Sequence, residues 1–308
     1  MPGSASLLVR TTLRLRTPED FAFWPAVTGH GWCALPPFAH DPAGPYLRRT
    51  LMLDTVVADC TLTAHANVIR AVLESHHVLS AGQRKEALRQ TRTMLRLEED
   101  FAPFHRQARV DPATRWIARG KLGRLLRAPT VFEDIMKMIC TTNCTWALTT
   151  LMVTNLVREF GRPSPSGGHA FPLPADIAAS TDSHLRSRCK TGYRARYLLQ
   201  VAEAVASRRI DVESWRTAGL TTEELLQNLR SLPGIGPYAA ENMLKLLGRY
   251  DHLGLDAWVR RRYYQLHRRG RRVSDAAIAR AYEGFGRWRG LFFWLEMTRE
   301  WREGKFNA

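Results

Sequence analysis

Acidic residues are scarce in this sequence. Its 308 residues hold 29 Asp and Glu against 45 Lys and Arg, a formal charge of +16 with a pI near 10.3. Such an imbalance predicts a polyanionic partner, and nucleic acid is the commonest. Long apolar runs are lacking too. Nothing approaches the roughly 20 residues of a membrane-spanning helix, and Leu7-Leu8-Val9, cut short by Arg10, is too brief for a secretory leader. No stretch gathers its basic residues on one amphipathic face, so no membrane partner is expected and the protein is predicted to be cytoplasmic. Cysteine is sparse: Cys33, Cys60, Cys140, Cys144 and Cys189 form an odd, scattered set. That argues against a disulfide framework and for a reducing compartment. Cys140 and Cys144, four apart with no histidine pair nearby, read as packing rather than metal ligands. There is no internal repeat and no low-complexity tract.

What is present suffices for two compact domains, with 45% of the chain apolar. Leu7–Leu15, Tyr46–Leu53, Thr55–Thr63 and Asn67–Leu73 are rich in Val, Leu and Thr and are separated by Asp, Pro and Gly, which predicts an antiparallel sheet. A polar helix from Gln83 to Asp100 closes this first domain, set at 1–110. The second, 111–308, reads as mostly helical, so the fold class is α+β. In it, Thr130-Val131-Phe132-Glu133 has the form of a capping box that opens a helix burying Phe132, Ile135, Met136 and Ile139. That helix pauses at Thr141-Thr142-Asn143 and resumes from about Thr145 to Phe160, with Gly161 as its stop. A helix follows Gly192-Tyr193-Arg194, and Tyr282 to Trp301, dense in aromatics, reads as the last one.

Between these lies the stretch on which function turns. Thr221-Thr222-Glu223-Glu224 offers a hydroxyl cap and first-turn carboxylates, so a short helix with Leu225, Leu226 and Leu229 on one face is predicted up to Arg230. Pro233 ends it, Gly234 and Gly236 supply backbone freedom, and Pro237 suits the first turn of a second helix with Ala239, Met243, Leu246 and Leu247 inward. A glycine turn between two helices has no side chains in the way, so its amides can approach a phosphate. Asp256 then opens a further helix.

Leu232-Pro233-Gly234-Ile235-Gly236, a helix, and Leu255-Asp256-Ala257-Trp258-Val259-Arg260-Arg261 together resemble the helix-hairpin-helix (HhH-GPD) DNA glycosylase superfamily. The resemblance implies that Asp256 is the catalytic carboxylate and that Pro233, Gly234, Ile235 and Gly236, with Arg260, hold the DNA backbone. It also implies that a monovalent cation can rest on the carbonyls of Arg230, Leu232 and Ile235. Ile139-Cys140-Thr141-Thr142-Asn143 resembles the family's helix break, whose asparagine faces the base left unpaired. Gly192-Tyr193-Arg194-Ala195-Arg196-Tyr197 is similar to the 8-oxoguanine branch, where the tyrosine wedges into the duplex and the first arginine touches the orphaned base. Gly286-Arg287-Trp288-Arg289-Gly290-Leu291 looks more like the 3-methyladenine branch, and with it Tyr238, Trp258 and Trp288 are implied walls of the lesion pocket. No cysteine follows Cys189, so the four-cysteine iron–sulfur site of some relatives is not expected, and no cofactor is required.

The departures are informative. Bifunctional relatives carry a lysine where this chain has Tyr238, which cannot form a Schiff base. Leu148 and Trp258 stand where the 8-oxoguanine branch has an arginine and a histidine. The expected function is therefore a monofunctional DNA glycosylase that removes a flipped-out, alkylated purine from double-stranded DNA, working as a monomer. Two other readings are an 8-oxoguanine glycosylase/lyase using Lys190 or Lys245, and a hairpin protein that only binds DNA.

Overall fold

The computed structural model describes residues 8–41 and 43–302, the side chain of Arg302 excepted. Leu7, where the first strand was expected to begin, lies outside the described residues, as do the outer ends of the two predicted domains. Along the chain come β1 (Val9–Arg16), α1 (Phe23–Val27), β2 (Phe38–Asp41), β3 (Tyr46–Leu53), β4 (Val56–His65) and β5 (Val68–Ser75). The strands form one antiparallel sheet in the order β1-β5-β4-β3-β2, the N-terminal sheet of the expected α+β class. Leu47 faces Leu62 and Leu62 faces Ala71 across neighbouring strands, all within 1% of complete burial, so alternate residues build the core. β2 is hidden in sequence by the Pro and Gly content of 36–45; it is an edge strand, where such residues are tolerated.

α2 (Ala81–Leu95) starts two residues earlier than predicted, because the Ser80 hydroxyl accepts from the Gln83 amide while the Gln83 side chain accepts from the Ser80 amide. Then follow α3 (Ala102–Val110), α4 (Arg115–Arg119), α5 (Val131–Thr141), α6 (Trp146–Phe160), α7 (Pro174–Ala178), α8 (Asp182–Cys189) and α9 (Ala195–Ala206). Gly161 ends α6, as expected. Its backbone is extended, and a Cβ there would sit 2.1 Å from the Ala170 carbonyl. The described chain closes with α10 (Thr222–Ser231), α11 (Pro237–Leu246), α12 (Ala257–Arg268), α13 (Asp275–Ala281), α14 (Arg289–Met297) and α15 (Arg299–Arg302). The single helix expected over 282–301 is broken at Gly286, whose φ of 54° and ψ of −130° no helix accommodates.

Two compact units emerge, residues 1–99 with 124–212 and residues 100–123 with 213–308, interleaved in sequence rather than divided at 110/111. Side-chain chemistry explains the interleaving. In the first unit the sheet is tied to α5: Arg49 of β3 grips Glu133 at 2.9 and 2.5 Å, and Lys137 reaches the same carboxylate at 2.8 Å, all three groups 3% exposed or less. The indole of Trp32 donates to Asp134 at 2.8 Å. In the second unit Phe101 and Phe104 of the α3 region pack on Trp288 at 5.9 and 5.3 Å.

Glu133 thereby departs from its expected reciprocal capping role. The Thr130 hydroxyl accepts from the Glu133 amide, but the Glu133 carboxylate turns inward to Arg49. Burial pushes this carboxyl up, and Arg49 with Lys137 outweighs burial to hold it below its usual range. Removing it leaves the buried Arg49 and Lys137 without their ion-pair partner. Glu133→Ala is expected to lower unfolding free energy by about 3–5 kcal/mol, measured from the urea midpoint at unchanged slope.

Candidate active site

The hairpin forms as the sequence dictates. The Thr221 hydroxyl accepts from the Glu224 amide at 3.2 Å and the Glu224 carboxylate accepts from the Thr221 amide at 2.8 Å. Leu225 and Leu229 are buried and Leu226 half-buried. Pro233 follows the cap at Leu232, and the Ile235 amide donates back to the Leu232 carbonyl at 3.2 Å. Of the two glycines only Gly234, with φ of 83°, needs glycine's backbone freedom. Gly236 is extended, and nothing lies within 4 Å of where its Cβ would be, so its role is open space in front of α11. Pro237 occupies the first turn of that helix, whose leading amides have no intrahelical acceptor. The carbonyls of Leu232 and Ile235 belong to this turn, and that of Arg230 to the last turn of α10.

Asp256 caps α12, its Oδ1 accepting from the Val259 amide at 2.7 Å. Burial, then the nearby charge of Asp256, pushes the Tyr238 phenol well above its ordinary range. The chain leading to Asp256 is held from two sides. From α11, the Lys245 amine donates to the Leu253 carbonyl at 2.9 Å and to Asn242 at 3.3 Å, while Glu241 accepts from the Gly254 amide at 2.8 Å. From α14, the Gly290 amide donates to the Tyr250 carbonyl at 2.7 Å, and a Cβ on Gly290 would lie 1.9 Å from the His252 carbonyl. Gly254, at φ of 68°, fits against the lysine, since a Cβ there would stand 2.5 Å from Nζ. This clamp was not foreseen, although a lysine among Met243, Leu244 and Leu246 on the apolar face of α11 is its signal. Lys245 is 2% exposed and engaged, so it offers no free amine to a substrate. Burial lowers its pKa to about 8, opposed by Glu241 and Asp256.

A cleft of about 370 Å³ is lined by Tyr238, Glu241, His252, Leu255, Arg260 and Asp275; Leu255, next to Asp256 in sequence, lines it but Asp256 itself does not. Arg260, expected on DNA, instead forks onto Asp275 with two contacts of 2.8 Å, which holds the Asp275 carboxyl low. Trp258 is half-buried with its ring 5.1 Å from Trp301, which in turn meets Trp294 at 5.7 Å. Trp288 is not an open pocket wall: it is 8% exposed, stacked on Tyr250 at 5.2 Å and enclosed by Phe101 and Phe104.

In the first unit, Asn143 and Tyr193 meet as the spacing suggested. Asn143 adopts φ of 48° at the break between α5 and α6, and its amide donates to the Tyr193 hydroxyl at 3.4 Å. Tyr193 is 44% exposed, yet Arg194 is 4% exposed. The Arg194 guanidinium donates to the carbonyls of Thr142 and Asn143, the latter at 3.2 Å, and lies over the Tyr193 ring at 4.6 Å. It therefore supports the Asn143 turn instead of reaching outward. Trp146 and Leu148, exposed at the start of α6, add apolar surface that no sequence pattern signalled. Cys140 is buried, which pushes its thiol up to about 12, and Cys144 donates to the Cys140 carbonyl at 3.1 Å.

Residues 136–287 match the family model described as HhH-GPD superfamily base excision DNA repair protein. The chain is 28% identical to a probable N-glycosylase/DNA lyase of Methanothermobacter thermautotrophicus over 50% of its own length and 55% of that protein. It is 25% identical to a DNA-3-methyladenine glycosylase of Bacillus subtilis, over 53% of this chain and 54% of the relative. The chain thus spans about half the length of these curated relatives. Its fold is similar to that of the 3-methyladenine DNA-glycosylase from Archaeoglobus fulgidus, with a TM-score of 0.74 at 22% identity, covering 94% of this chain and 99% of that one.

Arg194→Ala strips the Thr142 and Asn143 carbonyls of a buried donor and is expected to cost about 1–3 kcal/mol; Tyr193→Ala, at the surface, should cost below about 1 kcal/mol, both read from thermal melts. Lys245 titrates near 8 when folded and near 10.4 when unfolded. The unfolded chain binds more protons between those values, so the penalty on the buried charge is full below pH 8 and fades as pH rises. Wild type should gain stability relative to Lys245→Met between about pH 7 and pH 9.5, as urea midpoints will show.

Proposed function

We propose, from the premise that residues 136–287 belong to the HhH-GPD superfamily, that this chain is a monofunctional DNA glycosylase of base excision repair. Its substrate would be double-stranded DNA carrying a damaged purine, with alkylated bases favoured. The observation that carries the reading is Asp256, oriented by the Val259 amide, one helix on from an open glycine turn.

In this mechanism the turn at Pro233–Gly236 receives the DNA backbone through main-chain groups, which carry no sequence preference. The damaged nucleotide is rotated out of the stack at a cost of a few kcal/mol, least where damage has weakened its pair. Tyr193 and Asn143 are suited to fill the gap and meet the unpaired base. As the N-glycosidic bond lengthens, positive charge builds on the sugar. A carboxylate about 4 Å away contributes about 4 kcal/mol at an effective dielectric of about 20, which corresponds to about a thousandfold in rate. Water then bonds to the anomeric carbon, its proton passing to Asp256, and the base leaves with the bonding electron pair. No cofactor is required, although the carbonyls of Arg230, Leu232 and Ile235 offer oxygen ligands that would suit a monovalent cation steadying the turn.

The name of the Methanothermobacter relative includes a lyase activity. That second reading needs an amine, and on this chain the hairpin offers Tyr238 and Lys245 is engaged inside the second unit, which leaves the exposed Lys190. Borohydride reduction with lesion DNA decides between the two: no covalently trapped complex is expected, and trapping would establish the lyase. Asp256→Asn is expected to slow base release from a lesion oligonucleotide by about a thousandfold with duplex binding retained. Unchanged release would show that Asp256 is not the catalyst, and no release by the wild type from any lesion oligonucleotide would leave only the DNA-binding reading.

A further inference from the structure

Between Ala257 and Ala281 the chain carries eight arginines, at 260, 261, 262, 268, 269, 271, 272 and 280, against one acid, Asp275. Arg260 is spent on Asp275 and Arg262 pairs with Glu300 at 2.6 Å. Arg268, Arg269, Arg271 and Arg272 are exposed and have no ion pair among the described residues. One or two cations would satisfy the C-terminal end of α12, and Arg271 and Arg272 lie beyond the helix.

The turn that bears them has a defined shape. Arg269 and Gly270 take φ of 49° and 83°, the Gly270 amide donates to the Tyr264 carbonyl at 2.8 Å, and the Arg271 amide donates to the Arg268 carbonyl at 2.9 Å. The Tyr264 hydroxyl, in turn, donates to the Val273 carbonyl at 3.0 Å. Four guanidinium groups are thus presented from a pre-shaped turn, where mutual repulsion disfavours them unless a polyanion is near. The twelve residues of α12 place the turn about 18 Å from Asp256. That is too far to touch a nucleotide at the carboxylate, but it matches about five base steps of about 3.4 Å along a strand.

We propose that the turn at 268–272 is a second duplex-binding surface that holds the phosphodiester backbone away from the damaged nucleotide. The identity of the polyanion rests on the glycosylase reading. Composition favours DNA over an acidic protein: Leu266 is the large apolar side chain exposed beside the arginines, whereas protein interfaces are built on apolar and aromatic anchors.

The test replaces Arg268, Arg269, Arg271 and Arg272 together by alanine and follows binding of a fluorescein-labelled undamaged duplex by anisotropy over a salt series. The slope of log Kd against log salt is expected to fall by about 3 to 4, at about 0.9 for each phosphate no longer neutralised, with binding at low salt at least roughly tenfold weaker. The R268K/R269K/R271K/R272K variant should keep the wild-type slope. Arg271→Glu, whose side chain supports no part of the turn, serves as the second variant and should weaken binding at an unchanged melting temperature. An unchanged slope in the quadruple-alanine variant overturns the proposal. Loss of an acidic protein that co-purifies with wild type, at an unchanged slope, overturns it as well and makes the turn a protein-docking surface. The measurement reads binding to intact DNA and not base release. A chain that processes no lesion yet loses its slope would sink the glycosylase reading and leave the surface standing.

Discussion

The Lys245 amine donates to the Leu253 carbonyl inside the second unit, and the position of Asp256 depends on it. A carboxylate can favour a developing cation only from a fixed place, because a mobile one would spend the Coulombic gain on being ordered. Here the fixing is done on the backbone. Lys245 and Glu241 hold Leu253 and Gly254 from α11, Gly290 holds Tyr250 from α14, and the Val259 amide orients the carboxylate once the chain has turned into α12. Glycine at 254 and 290 is the steric counterpart of that clamp, since a Cβ at either position would strike a group that does the holding.

Each unit buries a lysine, and the contrast between them is instructive. Lys137 sits against Glu133, which also takes Arg49; burial lowers the Lys137 pKa too, but here a carboxylate bonds the amine directly and the cluster joins sheet to helix. Lys245 has main-chain and amide oxygens as its acceptors, and burial lowers its pKa to about 8. A destabilised cation of that kind is what a stable core avoids and what a functional site tolerates. The first arrangement serves cohesion; the second keeps a positive group close behind the Asp256 loop.

Much of this was legible in the residues. Strand β3, the hydroxyl cap at Thr221, the glycine turn and Asp256 at a helix start all rest on local rules of capping, backbone freedom and periodicity, and they appear where those rules put them. What was hidden depends on partners far along the chain. Arg194 and Arg260 read as outward-facing arginines, yet one is claimed by the carbonyls at 142–143 and the other by Asp275. Trp288 read as a pocket wall until Tyr250 and Phe104 closed over it. Gly161 read as a helix stop and Gly236 as a source of backbone freedom, but one is required by a carbonyl crossing its face and the other leaves open space. A local pattern names the residue type and not the neighbour that will compete for it.

The Tyr238 hydroxyl bears on the choice of substrate. Burial and the nearby Asp256 carboxylate push its pKa up, so the phenol gives up its proton reluctantly. A neutral purine leaves a sugar as an anion unless an acid protonates it, and such acid assistance needs a group whose pKa lies near working pH. An alkylated purine already carries positive charge, so it departs neutral as the bond breaks and asks for no proton. Under the proposed reading, a carboxylate beside a poor acid, on a hairpin that presents no amine, would suit a base that is ready to leave. Water is then the only nucleophile the mechanism requires.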